Sequence, residues 1–302
     1  MTAHPASAAG PGAAAVRRQP VRTGIASNLQ STVRDLQRRK ARGRRGLALM
    51  EGVRLVEDAL AAGLRFRGAV VAPDLERTAR GTALVAELGR HAVPVEQATA
   101  RVFASLADTE TPQGIIAVVE PRAWTLADIA WSGGGGGGGG GRGGAALVID
   151  AVQDPGNVGT LIRTAHALGA AGTIALRGTA DPLSPKALRA AMGATFRHPV
   201  VALDDPRFIA WTRQQGVTLW AAAVDGIPLH RALPLRGAGK EEAGRADEGP
   251  IAVIVGNEGA GIRPQLNAVA AKRVAIPLAH GAESLNVAVA AGILLYEVLR
   301  GR

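Results

Sequence analysis

Hydrophobic residues recur with two different spacings along the first third of the chain. Leu29, Val33 and Leu36 are spaced as on one face of a helix, whereas Val70 and Val71 begin a short apolar run that ends at a proline. Further segments continue the alternation, with an apolar piece at 47–50, a helix from 53 to 63, a helix at 76–88 and a strand at 114–119. Because strands alternate with helices, the pattern predicts a small α/β domain over about residues 25–121.

The same alternation begins again near residue 145 and continues to the C-terminal end. Strands are predicted at 147–151, 173–176, 200–203, 219–224, 251–255 and 273–276, and helices at 158–168, 185–192, 208–215, from about 263, and at 285–299. Residues 251–255 are apolar at every position, which is typical of a strand buried on both faces of a parallel sheet. The pattern predicts a second α/β domain over residues 145–302, with an open, mostly parallel sheet covered by helices on both faces.

Three segments lack this periodicity. Residues 1–24 are rich in Ala, Pro and Gly, and they predict a disordered tail. Residues 122–144 contain a glycine run at 133–141, which has high backbone entropy and predicts a flexible linker between the domains. A phosphate-binding loop would require Gly-Lys-Ser/Thr directly afterwards, and this sequence lacks it. Residues 236–249 mix glycine with charged residues and predict a solvated loop.

The charge balance points to a polyanionic partner. The 302-residue chain has a formal net charge of +10 and a pI near 11.2, which favours nucleic acid, with an Arg-rich coding bias as the alternative. Aromatic residues make up only 3%, which argues against a sheet surface that stacks bases. We expect one basic stretch to contact nucleic-acid phosphates. The alternative interpretation is that it is a helix end exposed to solvent. Its cations are Arg34, Arg38, Arg39, Lys40, Arg42, Arg44 and Arg45.

Composition also excludes some classes of site. The chain has no cysteine, so disulfides and thiolate metal sites are excluded, and a reducing, cytoplasmic setting is favoured. No cluster of histidines and carboxylates indicates a metal site. No apolar run is long enough to cross a bilayer, so no membrane partner is expected.

Polar loops follow three predicted strands, at the edge where open α/β sheets bind ligands. The first, residues 154–159, leads into a helix in which Asn157 suits an N-cap and Arg163 lies near the positive helix end. A cation there is electrostatically unfavourable, so Arg163 indicates an anionic partner, with an ordinary solvent-facing arginine as the alternative. The second, residues 256–261, combines glycines that permit close backbone approach to a ligand with Glu258, whose alternative role is compensation of a helix dipole.

The third loop, residues 276–287, follows a strand that ends near a proline. Ser284 and Asn286 lie around the start of the last helix, and two capping residues around one position exceed what a helix start needs. Both are therefore candidates for the site as well as for capping. None of the three loops has the Gly-x-Gly-x-x-Gly spacing after a first strand, which argues against a Rossmann dehydrogenase.

In this order and spacing, the three loops closely resemble the SpoU/TrmH family of RNA ribose 2′-O-methyltransferases, in the SPOUT superfamily, over about residues 145–301. The family's Asn-x-Gly-x-x-x-Arg, Gly-x-Glu-Gly and Ile-Pro followed by Ser-Leu-Asn-Val correspond to Asn157, Gly159 and Arg163, then Gly256, Glu258 and Gly259, then Ile276, Pro277, Ser284, Leu285, Asn286 and Val287. Residues 25–121 resemble the family's RNA-binding extension through their basic turn, through Glu51-Gly52 entering a helix, and through the segment Asp108-Thr109-Glu110-Thr111-Pro112-Gln113-Gly114.

The resemblance implies a C-terminal trefoil knot, a homodimer with its site near the subunit interface, and S-adenosylmethionine as the methyl donor. It places this cofactor at the second and third loops, at Gly256, Asn257, Gly261, Ile276, Leu278 and Leu285. It assigns catalysis to Arg163, Asn157, Glu258, Ser284 and Asn286. The implied substrate is RNA, with rRNA favoured over tRNA, and a non-catalytic RNA-binding or ribosome-assembly factor on the same fold is the alternative.

The chemistry of methyl transfer to a hydroxyl suggests what Arg163 does. A free guanidinium is a poor base, because its pKa lies above about 12. We expect Arg163 to hold the target phosphate and hydroxyl through both arms of its guanidinium and to stabilise the alkoxide that develops. Asn157, Glu258, Ser284 and Asn286 are expected to orient Arg163, the substrate and the loops, and no metal is needed.

Overall fold

The computed structural model describes residues 26–131, 144–233 and 249–300. The predicted tail at 1–24, the glycine run at 133–141 and nearly all of the predicted loop at 236–249 lie outside these ranges. None of the helices in the described ranges is long and apolar enough to cross a membrane.

The first domain is a mixed sheet of four strands with helices packed on it. Its elements are α1 (Ala26–Leu36), α2 (Arg39–Arg45), β1 (Ala48–Glu51), α3 (Val53–Ala61), β2 (Arg65–Val71), α4 (Ala79–Arg90), β3 (Val95–Gln97), α5 (Ala100–Leu106) and β4 (Ile115–Glu120). The strand order is β1-β4-β2-β3, and β2 pairs with β3 in parallel while the other pairs are antiparallel. The predicted α/β alternation is confirmed. β3 and α5 were not predicted, because three and seven residues are too few for a clear period.

The second domain is built on a parallel sheet of six strands in the order β10-β8-β9-β5-β6-β7. Its elements are β5 (Ala145–Ile149), α6 (Pro155–Ala167), β6 (Thr173–Leu176), α7 (Pro185–Ala191), β7 (Val200–Leu203), α8 (Asp205–Gln214), β8 (Thr218–Pro228), α9 (Leu229–Ala232), β9 (Ile251–Val255), α10 (Pro264–Asn267), β10 (Lys272–Ala275) and α11 (Val287–Arg300). Leu161 of α6 and Leu294 of α11 are buried on one face, and Phe208 of α8 and Leu266 of α10 on the other. The predicted open sheet with helices on both faces is confirmed.

Two helix starts differ from the prediction. α6 begins at a proline, and its N-cap is Asp154, whose Oδ1 accepts from the backbone N–H of Asn157 at 2.9 Å. Asn157 is therefore inside the first turn and not the cap, because proline is favoured directly after the cap. α11 begins at Val287, and Asn286 Oδ1 accepts from the backbone N–H of Ala288 at 2.9 Å, which confirms Asn286 as a capping residue.

The first part of the predicted linker at 122–144 is packed on the second domain. Trp124 Nε1 donates to the carbonyl of Thr195 at 3.2 Å, and the rings of Trp131 and Trp211 stack with centroids 5.5 Å apart. Ile129 is 5% exposed within the same core. The linker prediction is therefore wrong for residues 122–131, because burying these large apolar side chains outweighs the entropy of a free connection.

The first domain packs against α7 and the segment that follows it. Leu188 and Phe196 of the second domain lie in the core cluster of the first. Arg42 is 5% exposed, and its guanidinium donates to Asp181 Oδ2 from Nε at 2.9 Å and from Nη2 at 2.6 Å. Its Nη1 donates to two carbonyls at the end of α1, both at 2.9 Å. The prediction that Arg42 contacts RNA is therefore wrong, because its donors are used inside the protein.

Candidate active site

The three polar loops meet at the carboxyl edge of the parallel sheet, where side chains join them. Asn157 Nδ2 donates to Glu258 Oε1 at 2.8 Å, and Asn286 Nδ2 donates to Asn157 Oδ1 at 3.1 Å. The partners are 101 and 129 positions apart in the chain, and each residue comes from a different loop. Asn157 is therefore the link that ties the start of α6 to the two C-terminal loops.

A cavity of about 420 Å³, here called the loop cavity, lies between the loops after β9 and β10 and the start of α11. Val255, Val274 and Leu294 contribute apolar walls. All the predicted cofactor-binding residues line it: Gly256, Asn257, Gly261, Ile276, Leu278 and Leu285. Glu258, Glu283 and Ser284 add polar groups. In the described part of the chain, no group of three or more His, Asp and Glu side chains is placed to hold a metal ion.

The loop after β9 is a tight turn that is held by its own hydrogen bonds and by a glycine at position 256. The backbone N–H groups of Asn257 and Gly261 donate to each other's carbonyls, at 3.0 and 2.9 Å. Asn257 Oδ1 accepts from the N–H of Gly259 at 3.0 Å, and Asn257 Nδ2 donates to the carbonyl of Ala151 at 3.1 Å. A Cβ on Gly256 would lie 2.3 Å from the carbonyl carbon of Gly261, so a side chain there would force the two ends of the turn apart.

A buried ion pair anchors the end of this loop to β5. Arg263 Nε donates to Asp150 Oδ1 at 2.6 Å, and its backbone N–H donates to Asp150 Oδ2 at 2.8 Å. Asp150 is fully buried, and Asp205 accepts two more bonds from the same guanidinium, at 2.9 and 2.7 Å. Burial acts to lower the pKa of Arg263, but its bonds to Asp205 and Asp150 outweigh it and raise the pKa. Sequence reasoning missed these residues, although Asp150 directly follows an apolar strand.

The first loop is held by contacts with α7. Lys186 Nζ donates to Asp154 Oδ2 at 2.7 Å, and this bond, with the backbone N–H of Asn157, lowers the pKa of Asp154. A Cβ on Gly159 would lie 2.2 Å from the carbonyl oxygen of Ala187, so this glycine lets α6 and α7 pack closely. Gly159 thus acts on the site through helix packing.

Arg163 lies away from the hydrogen-bonded side chains of Glu258, Asn157 and Asn286. It is exposed on α6, and its Nη1 lies 2.9 Å from Met192 Sδ. It lines a shallow groove between α6 and α11 together with Ile293, and it is not among the residues that line the loop cavity. The expectation that the other catalytic candidates orient Arg163 directly is not supported, because none of them is hydrogen-bonded to it among the residues that the structure describes.

The predicted basic segment lies beside the same sheet edge. Arg39 Nη1 donates to the carbonyl of Thr179 at 3.2 Å, and Thr179 Oγ1 donates to the carbonyl of Ile149 at 2.9 Å. α2 is thereby held against the loops that follow β5 and β6. Six of the seven predicted cations are exposed: Arg34, Arg38, Arg39, Lys40, Arg44 and Arg45. Arg44 and Arg45 pair with Asp35 at 3.3 and 2.8 Å.

Both domains match known sequence families. The sequence model of the SpoU rRNA Methylase family matches residues 144–296, and that of the MRM3-like substrate binding domain matches residues 31–117. The chain is 34% identical over 266 residues to the 23S rRNA (guanosine(2553)-2′-O)-methyltransferase RlmP of Bacillus subtilis, covering 88% of this chain and 93% of that protein.

Solved structures agree with the sequence matches. The AdoMet-bound rRNA methyltransferase from Sinorhizobium meliloti has a TM-score of 0.72 at 30% identity, covering 92% of this chain and 96% of that one. The SpoU methyltransferase AviRb from Streptomyces viridochromogenes, in complex with AdoMet, has a TM-score of 0.73 at 27% identity, covering 90% and 97%. The resemblance predicted from the three loops is confirmed, and the chain belongs to the SpoU rRNA methylase family.

Proposed function

We propose that this protein transfers a methyl group from S-adenosylmethionine to a ribose 2′-hydroxyl of ribosomal RNA. The proposal depends above all on the loop cavity of about 420 Å³, which two of the family's loops enclose and the Glu258–Asn157–Asn286 chain ties to the third. The names of relatives support it, since RlmP of Bacillus subtilis is named a 23S rRNA 2′-O-methyltransferase and the Sinorhizobium meliloti structure is AdoMet-bound.

The loop cavity fits S-adenosylmethionine in size and polarity. Its volume lies in the range of small-molecule sites. The close turn at Gly256 lets backbone line one side of the cavity, and the apolar walls suit the faces of an adenine ring. Glu258 and Glu283 place negative charge beside the cavity, which suits a ligand that carries a sulfonium and an ammonium group. When bound, the cofactor supplies an electrophilic methyl group.

The protein's own residues must hold the ribose in line with that methyl group and stabilise negative charge on O2′. Arg163 is the residue we assign to the second task, gripping the target phosphate and O2′ with both arms of its guanidinium. Asn157 and Asn286 hold the start of α6 against the loop cavity. Because Arg163 is on the same helix, they fix its position although neither contacts it. Ser284 lines the loop cavity, and we assign to it the orientation of the ribose or the cofactor.

The position of Arg163 supports a homodimer. Val289, Ile293 and Tyr296 form an apolar stripe on α11 that is 52%, 37% and 49% exposed. Arg163 lies beside this stripe, in the groove between α6 and α11. An exposed apolar stripe of this kind is typical of a subunit interface. We propose that this face pairs with a second copy, so that Arg163 of one subunit serves the loop cavity of the other.

Mixed dimers test this arrangement. Subunits with Arg163→Lys are mixed with subunits carrying Gly256→Ala under conditions that exchange partners. If Arg163 acts across the interface, each mixed dimer regains one intact site, and the 1:1 mixture recovers about a quarter of wild-type methylation. A mixture as inactive as the two parents would place Arg163 and the cavity in the same subunit. Sedimentation of Ile293→Glu, expected to be monomeric, is the companion measurement.

Two further properties complete the proposal. The strand order supports a trefoil knot, because β9 lies between β5 and β8 and the chain then crosses β8 to reach β10. Such a knot is an exception to the rule that chains avoid threading. An electron-density trace through residues 251–287 would test it.

A ribosomal RNA substrate also implies a cytoplasmic enzyme. Cell fractionation followed by detection with an antibody against the protein would test this location.

Methylation assays with labelled S-adenosylmethionine test the reaction itself. Purified protein is incubated with rRNA and, separately, with tRNA, and 2′-O-methyl positions are mapped in RNA from a strain lacking the gene. We expect one rRNA position to lose its methyl group in that strain and to regain it in vitro. Methylation of tRNA alone would support the tRNA alternative, and RNA binding without any methylation would support a non-catalytic factor.

A further inference from the structure

A second cavity, of about 380 Å³, lies between the two domains, and part of its lining comes from the segments 51–52 and 108–114, through which the first domain resembles the family's RNA-binding extension. We call it the interdomain cavity. Arg54, Asp58, Thr111 and Gln113 of the first domain line one side, and Met192, directly after α7 of the second domain, lines the other. Most of its lining residues have charged or polar side chains, with Leu55 and Met192 beside them, whereas most residues that line the loop cavity are glycine or have aliphatic side chains.

The back of the interdomain cavity is fixed by Glu51. This residue is 4% exposed, and its carboxylate accepts from the backbone N–H groups of Asp108 and Thr109, at 2.8 and 3.2 Å. Arg189 of α7 donates to Glu51 at 3.4 Å and to Asp108 Oδ2 at 2.7 Å. These bonds join the loop before β4 to α7, so the cavity has a rigid wall that both domains share.

The remaining polar groups of this cavity are available to a ligand. Arg54, Asp58 and Thr111 form no side-chain hydrogen bond or ion pair within the described residues. Gln113 Oε1 accepts from the backbone N–H of Val53 at 3.0 Å, which leaves its Nε2 as the donor. The cavity therefore presents a carboxylate acceptor together with a guanidinium and an amide donor.

Met192 connects this cavity to the proposed catalytic arginine. Its thioether lies 2.9 Å from Arg163 Nη1, while the residue also lines the cavity. Met192 has a φ of +47°, and the following Gly193 has a φ of +76°. A Cβ on Gly193 would lie 3.0 Å from the Cβ of Asp58, so this left-handed turn packs directly against the cavity's carboxylate. A nucleotide held at Arg163 is therefore next to the interdomain cavity.

We propose that the interdomain cavity binds an unpaired guanine base of the RNA, at or next to the methylated nucleotide. Guanine presents adjacent N1–H and N2–H donors to one carboxylate, here Asp58, and its O6 and N7 accept from donors such as Arg54 and Gln113. Adenine lacks the paired donors, and uracil presents one donor between two carbonyls. The inference depends on the proposed methyltransferase function, and it assigns to the domain junction the choice of nucleotide.

The test uses the full-length protein and an rRNA fragment that contains its mapped target. Each guanosine at or beside the methylated nucleotide is replaced in turn by inosine, which lacks only the N2 amino group. With the wild-type protein, one replacement is expected to lower kcat/KM about tenfold or more, the usual effect of removing one base contact. The Asp58→Asn variant is expected to have a kcat/KM about ten- to a hundredfold lower on guanosine-containing RNA. In that variant, replacing guanosine with inosine should cause no further decrease in kcat/KM.

Glu57→Gln is the matched control, because Glu57 is on the same helix but pairs with Arg80 at the surface and does not line the cavity. It should keep wild-type kcat/KM and the full inosine effect, and all variants should bind S-adenosylmethionine normally in calorimetry. Absence of methylation by the wild-type protein would instead refute the proposed function.

Three results would overturn the inference while leaving that function intact. The first is a target site without guanosine at or beside the methylated nucleotide. The second is an Asp58→Asn variant that behaves like Glu57→Gln. The third is micromolar binding of free 5′-GMP combined with no inosine effect in RNA, which would make the cavity a site for a free nucleotide.

Discussion

The loop cavity and the interdomain cavity are similar in volume, about 420 and 380 Å³, but they are built in different ways. The loop cavity is enclosed by a glycine turn and aliphatic side chains from consecutive segments at one sheet edge. Most residues that line the interdomain cavity have charged or polar side chains, with Leu55 and Met192 beside them, and they come from both domains. The loop cavity therefore depends on close backbone approach, whereas the interdomain cavity depends on side chains that meet where the two domains dock.

The sequence reveals the two cavities to different degrees. The turn of the loop cavity depends on Gly256, which belongs to the Gly-x-Glu-Gly motif. Asp58 and Met192 of the interdomain cavity belong to different domains, and nothing in the sequence around either residue marks them as neighbours.

Arg263→Met is expected to have the largest effect, on the support of the loop cavity. It leaves Asp150 buried and unpaired, so the free energy of unfolding should fall by about 3–5 kcal/mol. Arg273→Met is the control, because it breaks an exposed pair with Asp225 that contributes at most about 1 kcal/mol. Chemical denaturation measures both. Equal decreases would mean that the buried pair does not hold the loop.

Gly256→Ala tests the backbone wall of the loop cavity. Its Cβ would meet Gly261 at 2.3 Å, so the turn must open, and methyl transfer should fall at least about a hundredfold together with cofactor affinity. In Gly259→Ala the nearest atom would be 3.7 Å away, and a much smaller decrease is expected. Activity assays measure methyl transfer, and calorimetry measures cofactor affinity. A fully active Gly256→Ala variant would exclude a role for the close approach of Gly256 to Gly261.

Arg163→Lys tests the arginine in the groove between α6 and α11, which contacts Met192 at the edge of the interdomain cavity. Lysine keeps the charge but not the two-armed geometry, so kcat should fall about ten- to a hundredfold while KM for S-adenosylmethionine stays unchanged. Arg207→Lys, on the exposed side of α8, should match the wild type. Near-wild-type turnover by Arg163→Lys would contradict the two-armed contact.

Removal of exposed cations of α2 and the residue before it should have the smallest effect and leave both cavities intact. Arg38→Gln with Lys40→Gln should weaken RNA binding and reduce its dependence on salt by about one unit of slope for each phosphate that is no longer neutralised. Arg77→Gln with Arg90→Gln, on surface ion pairs of the first domain, is the matched control. Binding titrations at several salt concentrations measure the slope, and identical slopes for both pairs would exclude the basic segment from RNA binding.

Most of the fold was predictable because its signals are local. The continuous apolar strand Ile251–Val255 and the helical spacing of Leu29, Val33 and Leu36 each arise within one segment. The helix starts were less predictable. Asn157 is an acceptable N-cap by type, but Asp154 precedes a proline and takes the position. Arg42 looked like its basic neighbours, and only the approach of Asp181, 139 positions away, made it a buried structural residue.

Two α/β domains, three loops at strand ends and a glycine-rich loop after β9 were predictable from the sequence, because each depends on neighbouring residues and on the period of the chain. The folded structure was needed to show that Asn157 joins Glu258 to Asn286, that Asp150 holds Arg263, and that Arg163 lies outside the loop cavity. These relations depend on which distant segments meet when the sheet forms and the domains dock, and no local pattern encodes such meetings.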